Sequence, residues 1–153
     1  MIFAVNSKAT GGYFHVMPRT IFELPNDLLI GHMLIDDDHA KLVRLINETG
    51  AALQEKQYQE STRLIMEFID GMKHHFDTEE AILLETEFPW IDEHIASHRQ
   101  VILKLPRLID ECEKVIDGDQ AWNKLIDNLV DCMMEDAFKA DMVFKTFLTQ
   151  NRS

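Results

Sequence analysis

The chain has 153 residues, 46% of them hydrophobic, and carries a net charge of -12 from 27 acidic and 15 basic side chains. That length suits one domain with a single substantial core. The bases are scattered singly, so no basic stripe exists to neutralise phosphates, and neither nucleic acid nor an anionic membrane surface is an expected partner.

No apolar run reaches the roughly 18 to 20 residues that span a bilayer. Residues 1–20 lack the charged, apolar and cleavage regions of a secretory signal. They contain Gly11, Gly12 and Pro18 and show no helical period, and read as an irregular N-terminal arm ahead of one domain over residues 21–153. A cytoplasmic location is expected.

Four helices follow, each with apolar or metal-binding residues at steps of three and four, which is the core stripe of a bundled helix. The first is predicted from Ile35 to Lys56, with Ile35, His39, Leu42, Ile46 and Leu53 on one face and Gly50 as its weak point. The second runs from Ser61 to Thr86 with Leu64, Phe68, Met72, His75, Glu79 and Leu83 inward, and Phe88-Pro89 ends it. The third alternates steps of three and four through Ile91, His94, His98, Val101, Leu105, Leu108, Cys112 and Val115, with a kink expected at Pro106. The fourth runs from Asp119 to Leu148 through Trp122, Leu125, Leu129, Met133, Asp136, Ala140, Phe144 and Phe147. Connections of about four to seven residues force neighbours antiparallel, so the expected fold is all-α, an up-down-up-down four-helix bundle.

Cys112 and Cys132 fall at different heights on an antiparallel pair, about 12 Å apart at 1.5 Å of rise per residue. No disulfide is expected between them, which fits a reducing compartment.

The chemistry lies in His75-x-x-x-Glu79 and His94-x-x-x-His98. A four-residue step returns to nearly the same helix face, so each pair aims two donors at one point. His39 and Asp136 stand on the stripes of the other two helices. A lone inward histidine is usually a hydrogen-bonded core residue. Several imidazoles and carboxylates together, with no Lys or Arg on the stripes, have metal as their natural partner. Asp141 lies five residues after Asp136, about 140° away on a regular helix. It is either a solvated surface charge or an inward residue brought round by a single-turn π-bulge. His15, His32 and His74 lie off the stripes and are read as surface or supporting residues.

These motifs resemble the bacterial hemerythrins over about Leu24 to Leu148. Gly31, Ile35, Asp36 and His39 meet the family's first motif, and His75, Phe76, Glu79, Glu80, Phe88, Pro89, His94 and His98 meet its second. The resemblance implies two iron ions, cycling between Fe2+ and Fe3+ and joined by an oxo or hydroxo bridge. His94 and His98 would bind one iron and His39 and His75 the other, with Glu79 and Asp141 bridging. It favours the inward reading of Asp141, and it implies oxygen or a related small ligand as partner, for sensing, storage or transport. A signalling or redox partner is compatible with it.

The chain departs from the family at Asp136, where the pattern has its fifth histidine. A carboxylate there favours Fe(III), should lower the reduction potential and speeds autoxidation. Three outcomes are open for so short a side chain: ligation through water, an open position on the iron of His94 and His98, or no ligation. Leu42, Ile46, Phe68 and Met72 are candidates for an apolar ligand pocket. The alternative function is a di-iron redox enzyme acting on oxygen, peroxide or nitric oxide. A binding module, in which metal or oxygen occupancy alters contacts with another domain, is a third.

Overall fold

The computed structural model describes residues 21–151; the arm, with His15, lies outside them. A short 3-10 turn, Asn26–Leu28, precedes α1 (Met33–Gln54) and α2 (Tyr58–Glu85). Then come α3 (Ile91–Lys104), α4 (Arg107–Ile116), α5 (Trp122–Met134), a π-helical turn (Glu135–Ala140) and α6 (Asp141–Gln150). Together these make the all-α four-helix bundle, since α3 with α4, and α5 with the π turn and α6, each form one long rod.

The order of residues along the rods gives the directions. Going along α1, Ile35 belongs to a small apolar cluster, His39 follows, and Leu42 begins the large one. Along α2 the order reverses, with Met72 and Phe76 in the large cluster and Ile82 and Leu83 in the small one. The third rod passes from the small cluster to Val101 in the large, and the fourth from Met133 back to Phe144. Neighbouring rods therefore run antiparallel, and the would-be ligands form one polar layer between two dry clusters.

Three details differ from expectation. The first connection, residues 55–57, is shorter, while 86–90 and 117–121 have the expected length, and Lys56 and Glu87 take positive φ to close the first two. Pro106 does more than kink the third rod: without an N–H it cannot continue the ladder, so α3 stops at Lys104 and α4 begins at Arg107. The fourth rod begins at Trp122 and not at Asp119, and its stripe departs from regular spacing, burying Ala137 and Asp141 while Ala140 is half-buried.

Gly50 is a seat for another segment. A Cβ there would collide with the Ile21 side chain. The same segment is held by Asn47, whose Oδ1 accepts the N–H groups of Ile21 (2.6 Å) and Phe22 (2.9 Å) and whose Nδ2 donates to the Phe22 carbonyl (2.8 Å). Both cysteines are buried and free. No helix among the described residues is long and apolar enough to cross a membrane.

Candidate metal centre

All seven predicted site residues are buried in the polar layer: His39, His75, Glu79, His94, His98, Asp136 and Asp141, none more than 4% exposed. The four-residue steps on α2 and α3 place His75 above Glu79 and His94 above His98 on regular helix, as period alone requires. Asp136 and Asp141 need the extra residue of the π turn. It cancels most of the 140° offset and turns both carboxylates inward, so Asp141 is no surface charge.

His39 Nε2 and His75 Nε2 lie 3.2 Å apart. Glu79 reaches His75 Nε2 at 3.3 Å through one oxygen and His94 Nε2 at 3.0 Å through the other. Asp141 reaches His39 Nε2 at 3.1 Å and His94 Nε2 at 3.4 Å. Asp136 lies 2.9 Å from His75 Nε2 and 3.1 Å from His98 Nε2. Two overlapping groups of donors result: Glu79, His94, His98, Asp136 and Asp141, and His39, His75, Asp136 and Asp141.

These close approaches are mostly not hydrogen bonds. Both oxygens of Glu79 and of Asp141, the Nε2 atoms of His94 and His98, and Asp136 Oδ1 are buried without a hydrogen-bond partner. Leaving so many polar atoms unsatisfied in a native core costs on the order of 1 to 3 kcal/mol each. Their lone pairs converge on shared points instead of on one another, which is what a metal site demands. Imidazole and carboxylate donors of this kind suit iron or manganese in a helical bundle.

The electrostatics agree. Burial pushes the His94 and His98 imidazoles down, yet their carboxylate neighbours override it and lift them to about 9 and about 10. His75 is likewise raised despite burial, by Asp136, Asp38 and Glu79. Burial, reinforced by the negative charges of Asp136 and Glu79, pushes Asp141 up to about 7. Without metal, the cluster retains protons where cations belong.

Supporting residues were less visible in sequence. The Nδ1–H of His98 donates to Glu80 Oε1 at 2.8 Å, which leaves its Nε2 lone pair facing the centre. The Phe76 ring stacks on His98 with centroids 4.0 Å apart. Asp38 lies 3.7 Å from His75 Nδ1. The first motif also gains a structural cause: Asp36 accepts the N–H groups of Ile30 (2.8 Å) and Gly31 (2.9 Å), with Gly31 at a φ of 81°, which fixes the entry of α1 ahead of His39. Phe76 and Glu80 stand in the second motif, which gives them no role by itself, and the only signal for Asp38 is that it sits one residue from the stripe position of His39. His32 stands at the start of α1 and His74 is exposed, both outside the cluster.

The family sequence model described as the hemerythrin HHE cation binding domain matches residues 31–148. The chain belongs to the hemerythrin family. Among curated relatives, the bacteriohemerythrin of Aquifex aeolicus is 27% identical over 85 residues, 56% of this chain and 65% of that protein. A bacteriohemerythrin of Campylobacter jejuni is 28% identical over 90 residues, 58% of this chain and 63% of that protein. The match thus spans a little under two thirds of these relatives' lengths. No solved structure matches significantly. A di-iron centre is the cofactor of the family, and the hemerythrin chain described here has a buried His, Glu and Asp cluster able to hold it.

Proposed function

We propose that this hemerythrin uses its di-iron centre to bind oxygen or a related small ligand, for sensing, storage or transport, in the cytoplasm. The observation that carries the reading is the buried layer of converging, unsatisfied donors closed off by apolar clusters on both sides. His39 and His75 would hold one iron and His94 and His98 the other, with Glu79 and Asp141 shared. When bound, the iron pair supplies the exchangeable electrons and the coordination position that a small ligand takes. The chain supplies orientation and dryness. Glu80 and Phe76 fix the His98 ring, and Leu42, Ile46, Phe68 and Met72 are buried in the larger cluster, where they exclude water.

A cleft beside His94 supports a route for a small ligand. It measures about 230 Å³, lies between α3 and the π turn and is lined by Phe88, Trp90, His94, Ser97, Ala140 and Val143, with the charged Glu93 and Lys139 also on its wall. It is mostly apolar, as suits an uncharged diatomic molecule.

Redox turnover of oxygen, peroxide or nitric oxide is the second reading. Asp136 favours it, because a buried carboxylate in contact with both His75 and His98 stabilises Fe(III) over Fe(II). One preparation separates the two. The protein is loaded with iron, its iron counted, reduced without air, exposed to oxygen and then purged while the visible spectrum is followed. Two irons per chain and a spectral change that reverses on purging are expected. Irreversible conversion to the diferric form would sink the carrier reading and favour turnover.

A further inference from the structure

The four histidines fall into two pairs by origin. His39 of α1 and His75 of α2 face each other, and His94 and His98 both come from α3. Glu79 and Asp141 each span the two pairs. Glu79 reaches His94 through Oε1 and lies 3.3 Å from His75 and 3.6 Å from His98 through Oε2, and Asp141 reaches His39 and His94 through different oxygens. Asp136 repeats the pattern: Oδ2 lies 2.9 Å from His75 Nε2 and Oδ1 lies 3.1 Å from His98 Nε2.

In the metal-free protein the His75 contact is a hydrogen bond, and Asp136, like Asp141, belongs to both groups of donors able to hold an ion. We propose that Asp136 is a third carboxylate shared between the two irons, not a shortened terminal substitute for a histidine. The inference rests on the di-iron reading and sharpens it.

Two features of the chain support the placement. Asp136 is 1% exposed, so the backbone of the π turn, and not side-chain reach across solvent, brings it to the layer. A carboxylate also has what an imidazole lacks, two equivalent oxygens on one carbon. At this position a histidine could offer one nitrogen to one iron only. With Asp136 shared, each iron has two imidazoles and the same three carboxylates, so the two halves become equivalent. The shared charge is three negatives, which neutralises half of a diferric pair.

Equivalence is measurable without any activity. The full chain, loaded with iron enriched in the Mössbauer isotope and oxidised, should hold two irons and give a single quadrupole doublet. Asp136→His should keep two irons and split the signal into two doublets of equal area. Two equal doublets in the unsubstituted protein at two irons per chain would overturn the bridge while leaving the di-iron reading intact. An unsplit doublet in Asp136→His would also overturn it. Fewer than about one iron per chain would instead sink the di-iron reading, and the bridge with it. Should Asp136→His fail to fold, a crystal structure of the zinc-loaded protein decides: one Asp136 oxygen on each zinc is expected, and both oxygens on one zinc, or neither on any, overturns the proposal.

Discussion

The two halves of the bundle solve the same problem differently. α1 and α2 are unbroken helices of 22 and 28 residues that deliver His39, His75 and Glu79 on regular turns. The third and fourth rods are interrupted, one by Pro106 below its ligands and the other by a π turn between Asp136 and Asp141. The difference teaches that a helix can present ligands by period alone when they are three or four residues apart. A five-residue spacing needs a built-in irregularity, and the surrounding packing must hold it.

The largest expected effect comes from deleting one residue in each kind of helix. Removing exposed Phe138 from the π turn should leave ordinary helix, with Asp136 and Asp141 four residues apart and still inward. Removing exposed Asp70 from α2 should rotate His75 and Glu79 about 100° out of the layer. Iron counts and circular dichroism check both: the first variant is expected to stay helical and keep two irons, the second to lose iron and most of its stability. Equal damage from the two deletions would erase the distinction between regular and irregular halves.

A smaller effect concerns charge at the point where the halves meet. In the metal-free protein the imidazoles of His94 and His98 are raised to about 9 and about 10, above the ordinary value near 6.5. A raised folded-state value means that the stabilisation from their ion pairs is complete below about pH 6.5 and fades as pH climbs through about 9 to 10. Asp141, raised to about 7, acts in the same direction at lower pH. Denaturant midpoints of metal-free protein should therefore fall from pH 6.5 to pH 10. Zinc should remove most of that slope, because it replaces the protons. A flat metal-free profile would contradict the electrostatic account of the cluster.

Smallest of all should be Pro106→Ala. The break lies outside the polar layer, and Leu105 and Leu108 are buried on either side of it. A loss of about 0.4 to 1 kcal/mol is expected, from restored freedom of the unfolded chain, with iron content unchanged. Thermal melts and metal analysis check it. A change in iron content would mean that the proline break positions His98 after all.

Much of the site was readable in the chain because its cause is local. The stripes through Leu42, Phe68, Val101 and Leu129 are buried, and His39, His75, Glu79, His94 and His98 fall on them by arithmetic. Asp141 was readable only conditionally, since five residues of spacing admit either solvent or a π turn. Gly50 looked like a defect in α1, and it is the seat for Ile21, a contact 29 residues away in sequence that no local pattern contains. The contacts of Glu80 and Asp38 were hidden for the same reason, as each supports a histidine on another helix.

By itself the sequence determined which residues of the first three rods face inward, the number and direction of the rods, and the imidazole and carboxylate chemistry of the layer. Helical period and loop length act over a few residues, so they can be read without coordinates. Only the tertiary structure decided that the fourth rod adopts the π turn, that Glu80 and Phe76 hold His98, and that the two oxygens of Asp136 face different histidine pairs. Those are distances between helices, set by how four apolar faces pack together, and no spacing within one helix contains them.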